Sequence, residues 1–158
     1  MSTRRVALVT GANRGIEFRS HYFDDPQATA SFERCAKRIF GLDFGLWKGH
    51  GLWDDRYTPF SAFEDGECVA SICVYPSVMR VDGKDKSGAQ LLTVGTLPEY
   101  RGRGIQKQLW RRAHEWLRTE SDFVFLFTDE EAVGFYERLG LKRQPEYTEI
   151  IPGPHHRG

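Results

Sequence analysis

Apolar residues recur at helical spacing in two long stretches of this chain. Phe32, Cys35, Ala36, Ile39 and Phe40 fall on one helix face, with Asp25 placed as a cap, Pro26 at the first helical position and Gly41 as the stop. Ile105, Leu109, Ala113, Trp116 and Leu117 form a second stripe, while Gln106, Lys107, Gln108, Arg111 and Arg112 lie largely on the opposite side. Elsewhere the period drops to two. Phe18, Ser20 and Tyr22 alternate ahead of the first helix, and residues 57–63 read as a strand. Glu64-Asp65-Gly66-Glu67 is a hairpin turn, and Cys68, Ala70, Ile72 and Val74 share a face of the next strand. Residues 82–88 read as a polar turn and 89–97 as the strand that enters the second helix. Phe123 to Phe127 is an unbroken apolar run, which suits a strand covered on both faces. A helix over 130–139, stopped by Gly140, and a last strand over 142–151 complete the pattern, with 152–158 as a tail. Residues 42–53, rich in glycine and aromatics, read as a short broken helix. The alternation predicts an α/β (mixed α+β) domain.

The strand-to-helix junction at 94–106 carries the chemistry. It reads Val94-Gly95-Thr96-Leu97-Pro98-Glu99-Tyr100-Arg101-Gly102-Arg103-Gly104-Ile105-Gln106. Unpaired N–H groups at a helix start attract anions. Gly102 and Gly104 permit backbone conformations closed to other residues. Arg101 and Arg103 add forked positive charge suited to phosphate. The combination predicts a pyrophosphate site.

With these residues in view, the chain resembles the GNAT superfamily of N-acetyltransferases. The superfamily's acetyl-CoA signature, Q/R-x-x-G-x-G/A, aligns with Arg101-Gly102-Arg103-Gly104-Ile105-Gln106; Gln106 stands where the family has a small residue. A second segment, Ala132-Val133-Gly134-Phe135-Tyr136-Glu137-Arg138-Leu139-Gly140, resembles the A-x-x-F-Y-x-x-L-G helix of the same family. The resemblance covers residues 18–151. It implies a central mixed sheet with helices on both faces, and a gap between the signature strand and the next one. Val94, Gly95 and Thr96 would contact the pantetheine arm there, residues 101–106 would hold the pyrophosphate, and Tyr136 would protonate the leaving thiolate. Gly95 would also mark a bulge that opens the gap.

The implied reaction is direct transfer of acetyl from acetyl-CoA to a primary amine, of a small molecule or a peptide. Glu64, Asp129 and His50 are candidate bases. Trp47, His50, Trp53, Asp54, Asp55 and Tyr57 are candidates for an acceptor pocket, where rings and carboxylates suit a cationic amine, or else pack and cap. Two alternatives stay open: an idle acyl-CoA-binding or sensing module on the same fold, and a short-chain dehydrogenase fragment binding a nicotinamide cofactor.

The last alternative comes from the front end. Residues 5–16 resemble the opening of a short-chain dehydrogenase, Thr10-Gly11 through Gly15-Ile16. Glu17 stands where the final glycine of that turn belongs, and no tyrosine has a lysine four positions later. Glu17-Phe18 is what a common cloning site encodes, so residues 1–18 read as a non-native leader and 19–151 as the acyltransferase domain.

Composition narrows the field further. Basic and acidic residues balance at 22 each, which gives no global footprint for nucleic acid. No apolar run approaches a membrane span. The three cysteines, Cys35, Cys68 and Cys73, lack metal-ligand spacing and read as reduced thiols of a cytoplasmic protein, with no metal expected. A further C-terminal strand of the resembled family is not legible, which reads either as a truncated C-terminus or as a partner chain over that edge, the second favouring a homodimer.

Overall fold

The computed structural model describes residues 6–8, 15–51 and 53–144. The dinucleotide-like turn up to Arg14, most of the expected last strand, the 152–158 tail and its two histidines lie outside them. The chain divides into two compact units, Met1–Phe127 and Thr128–Gly158.

In the first unit, six strands form one sheet in chain order: β1 (Val6–Leu8), β2 (Ile16–Ser20), β3 (Thr58–Glu64), β4 (Glu67–Val81), β5 (Lys84–Thr96) and β6 (Phe123–Phe125). Every neighbouring pair is antiparallel except β5 and β6, which run parallel. The helices are α1 (Pro26–Phe40), α2 (Phe44–Gly49) and α3 (Ile105–Glu120). β1 pairs with β2 through Val6–Arg19 and Leu8–Glu17, and β2 begins at Ile16. Residues on the leader side of the expected boundary therefore enter the sheet, and Ile16 is 1% exposed.

α1 starts and stops where its sequence signals stand. The Asp25 carboxylate accepts from the N–H groups of Gln27 and Ala28, and Gly41 ends the helix at φ 69°. Phe32, Cys35 and Ala36 of α1 are buried, as are Ile105, Leu109, Ala113 and Leu117 of α3. Consecutive residues of β3 separate the two helix layers. Phe60 meets Trp116 of α3, with ring centroids 5.7 Å apart. Ser61 points the other way, to the Tyr22 hydroxyl at 2.7 Å. The three cysteines are buried and free.

Two expectations change. The polar segment 82–88 is not a long turn: only Asp82 and Gly83 turn, and Lys84 onward pairs with β4. Polar residues hide this strand because the hairpin end is solvated on both sides. The 123–127 run gives a three-residue strand whose members are half-buried, and Phe127 is 69% exposed. An apolar run signals burial, and here the burial is partial.

In the second unit, α4 (Glu130–Arg138) is capped by the Asp129 carboxylate, which accepts from the Ala132 N–H at 2.9 Å.

Candidate active site

The site grows from an irregularity in β5. Register runs Ala70–Thr96 and Ser71–Gly95, then jumps to Cys73–Leu92. Thr93 and Val94 thus oppose Ile72 alone, a bulge just upstream of Gly95. On the other edge β6 pairs with β5 only from Gly88 to Gln90. Beyond Gln90, β5 has no strand on that side among the described residues, so its main chain lines an open edge from Leu91 to Thr96. Gly95 itself is required by packing: a Cβ there would lie 2.6 Å from Phe40 Cζ and 2.8 Å from Ile39 Cγ2.

β5 runs into the arginine-glycine turn through a 3-10 turn at Pro98–Tyr100. Gly102 and Gly104 adopt φ of 76° and 71°, with open space where a Cβ would stand. Gly104 caps α3 without a side chain, which leaves the first N–H groups of that helix uncapped. Arg101 Nε donates to the Thr96 carbonyl at 3.1 Å, and Arg103 lies over the Tyr100 ring, 4.9 Å from its centroid. The turn is exposed and positively charged. It suits a diphosphate by both main-chain and side-chain chemistry. The hydroxyl of Thr96, a residue 7% exposed, is buried with no hydrogen-bond partner among the described residues.

Gln106 is accommodated rather than disruptive. Its Nε2 donates to the carbonyls of Ser71 at 3.2 Å and Gly95 at 2.6 Å, while Oε1 is buried without a partner among the described residues. The side chain points to the sheet, so its bulk does not cover the turn.

A cleft of about 370 Å3 opens at the end of β2 and the start of β3. Phe23, Trp53 and Tyr57 form its aromatic wall, with centroid separations of 5.3 to 6.3 Å. His21, Asp24 and Asp55 add polar groups, and Thr58 and Pro59 complete the lining. His21 N–H donates to the Pro59 carbonyl at 3.2 Å, and Pro59 continues across the sheet to Cys73 and Leu92. The cleft and the β5 bulge therefore share a level across the strands. Tyr57 links them directly, its hydroxyl hydrogen-bonded to that of Thr93. Burial pushes the Tyr57 phenol far above its ordinary range, so it stays protonated.

Of the acceptor-pocket candidates, Trp53, Asp55 and Tyr57 line this cleft. Asp54 is taken up by Arg56 and the Tyr75 hydroxyl at 2.6 Å, which hold its carboxyl well below the usual range. His50 caps the C-terminus of α2, and Trp47 packs on Phe44. Glu64 accepts from the Tyr100 hydroxyl, at the arginine-glycine end of the sheet. Sequence reasoning passed over His21, Phe23 and Asp24, because only the β2–β3 register brings them to residues 53–59.

The acetyltransferase (GNAT) domain profile matches residues 50–143, which span the cleft wall, the bulge, the turn and α4. The chain belongs to the GNAT acetyltransferase family. No curated protein matches it significantly. Among solved structures, a GNAT-type fold recurs in an aminoglycoside acetyltransferase from an uncultured soil metagenomic sample. That protein is 17% identical, at TM-score 0.65, with 87% of this chain and 99% of that one covered. A Trypanosoma brucei acetyltransferase is 18% identical at TM-score 0.66 over 87% and 99%. The glucosamine-6-phosphate N-acetyltransferase of Arabidopsis thaliana is 14% identical at TM-score 0.63 over 85% and 97%. At these identities the likeness is one of fold, and the GNAT sheet with helices on both faces is the architecture of this chain. Among the described residues no helix is long and apolar enough to cross a membrane, and no cluster of His, Cys, Asp or Glu could hold a metal ion.

Proposed function

We propose that the protein transfers an acetyl group from acetyl-CoA to the primary amine of a cationic small molecule, in a ternary complex. The observation that carries this reading is the open edge of β5, which runs from the bulge straight into the arginine-glycine turn. A pantetheine arm can pair with Val94, Gly95 and Thr96 as an added strand, while the diphosphate meets Arg101, Gly102, Arg103 and Gly104 and the first N–H groups of α3, at Ile105 and Gln106. The Thr96 hydroxyl, without a partner among the described residues and at the junction of edge and turn, supplies a further polar contact.

The acceptor fits the cleft. Its ammonium, with an ordinary pKa near ~10.4, is attracted by Asp24 and Asp55 and by the faces of Phe23, Trp53 and Tyr57. The amine loses one proton to a base or to solvent, and its lone pair attacks the thioester carbon. A C–N bond forms and the C–S bond breaks. The second N–H proton is lost as the amide forms, and the thiolate takes a proton from an acid, for which Tyr136 is the proposed donor. Aminoglycosides, the substrate class of the soil-metagenome acetyltransferase with a similar fold, are polycationic amines and belong in the first acceptor panel. The buried free thiols suit a reducing, cytoplasmic setting.

Calorimetry with coenzyme A and acetyl-CoA, followed by thiol release over a panel of amines, tests the reading. Heat with both ligands and acetyl-CoA-dependent thiol release with a cationic amine are expected. Absence of heat with either ligand on folded protein overturns it. Binding without turnover across the panel favours the sensing module instead.

A further inference from the structure

Four non-glycine residues among the described ones have positive φ. Asp65 and Asp82 precede Gly66 and Gly83 in hairpin turns, where an Asp-Gly pair takes that conformation routinely. The other two, His21 at 54° and Thr93 at 49°, are in no hairpin turn. Both belong to the cleft: His21 lines it, and Thr93 bonds to Tyr57, which lines it too. A β-branched residue in the left-handed region is an outlier that persists only where its surroundings over-determine it.

Thr93 is restrained by the Tyr57 hydroxyl, with the buried Cys73 thiol beside them both. Tyr57 is 8% exposed, and its ring is fixed between Phe23, Phe44 and Trp53. Thr93 also lies in the bulge of β5, past the end of its pairing with β6. The β4 register skips Thr93 and Val94, and the β6 register stops at Gln90. The register thus sets Thr93 and Val94 against Ile72 alone on the β4 side and against no strand on the β6 side among the described residues.

We propose that Tyr57 is a positioning residue for acyl transfer: its hydroxyl holds Thr93 in the left-handed conformation and so keeps the N–H groups of the bulge aimed where the thioester oxygen gathers negative charge. The inference rests on the acetyl-transfer reading. Preorganised N–H donors stabilise such a charge only if they are in place before the reaction, and a small misplacement is costly in rate. A rigid aromatic cage that fixes one hydroxyl is a way to hold them there.

The test combines Tyr57→Phe, Thr93→Gly and the double variant. Steady-state rates are read beside acetyl-CoA affinity and the amide NMR signals of residues 93 and 94. Tyr57→Phe should lower kcat by roughly tenfold to a hundredfold, with acetyl-CoA affinity within about twofold of wild type. Thr93→Gly, which takes the left-handed conformation without steric cost, should recover about threefold or more of that loss in the double variant. In wild type the Val94 amide signal should move more with acetyl-CoA than with coenzyme A, and this difference should vanish in Tyr57→Phe. An unchanged kcat and unchanged amide response in Tyr57→Phe overturn the proposal. So does a parallel fall of kcat, affinity and thermal midpoint that Thr93→Gly does not relieve, which would make Tyr57 merely structural. If wild type binds acetyl-CoA but acetylates no amine, the functional reading fails by itself, and the amide response still decides the role of Tyr57.

Discussion

The side-chain amide of Gln106 lies 2.6 Å from the carbonyl oxygen of Gly95, tying the first turn of α3 to β5 just past its bulge. The same nitrogen reaches Ser71 on β4 at 3.2 Å, so one side chain spans two strands. Gln106→Ala leaves both carbonyls without this donor and should cost about 1–3 kcal/mol in urea unfolding. Gln106→Glu should be worse at neutral pH, because an ionised carboxylate only accepts and would face two carbonyl oxygens. A protonated acid can donate, and a carboxyl facing two carbonyl oxygens is harder to ionise than in the unfolded chain, so that variant's extra deficit should shrink as pH falls towards about 4.3 and change no further below it. Equal stability of the two variants at neutral pH would mean that the amide is not the latch.

Gly95 answers to packing as much as to any ligand. An added methyl would press on Ile39 and Phe40 at the end of α1. Gly95→Ala should destabilise by about 1–3 kcal/mol, the usual range for overpacking. Phe40 is 42% exposed and can give way at its tip, whereas the Ile39 methyl is held close to the helix backbone. Phe40→Ala in the Gly95→Ala background should therefore restore part of the loss, measured as a shift of the unfolding midpoint. Additive losses would place the strain elsewhere.

Much of this frame was legible in the sequence because its signals are local. Asp25, Pro26 and Gly41 bracket α1, and the Ile105–Leu117 stripe is the buried face of α3. The arginine-glycine turn carries its positive charge and its glycines in six consecutive residues. The cleft does not, because His21 and Tyr57 become neighbours only through strand pairing over more than thirty intervening residues. The bulge is equally hidden: threonine is a common strand residue, and nothing in 89–97 marks Thr93 for a left-handed conformation. Gly95 was the visible irregularity, yet its missing side chain serves the approach of α1.

Acid should weaken the β2–α1 corner. The Arg19 guanidinium, 3.0 Å from Asp25, and the Ala28 N–H hold the Asp25 carboxyl below its ordinary range. A carboxyl with a lowered folded pKa contributes stability above its unfolded value, near ~3.9, and loses it as pH falls through the folded value. The thermal midpoint should therefore drop as pH falls below about 4. Asp25→Asn keeps an oxygen for the cap but removes the charge, so its midpoint should start lower and fall less steeply over the same range. Identical acid limbs in the two proteins would show that other carboxylates carry the whole dependence.

Tyr136 is the proposed proton donor to the leaving thiolate. Burial first, and then the negative charge of Asp129, push its phenol above the ordinary value near ~10. A phenol so placed is protonated throughout the neutral range and can donate, but it cannot serve as the base that strips the acceptor ammonium. Tyr136→Phe should lower kcat by about a hundredfold or more, the scale of a lost general acid, while acetyl-CoA affinity stays within about twofold. In wild type, any loss of kcat from ionisation of this phenol should begin only above about pH 10. A variant that turns over at the wild-type rate would take Tyr136 out of the reaction and leave solvent to protonate the thiolate.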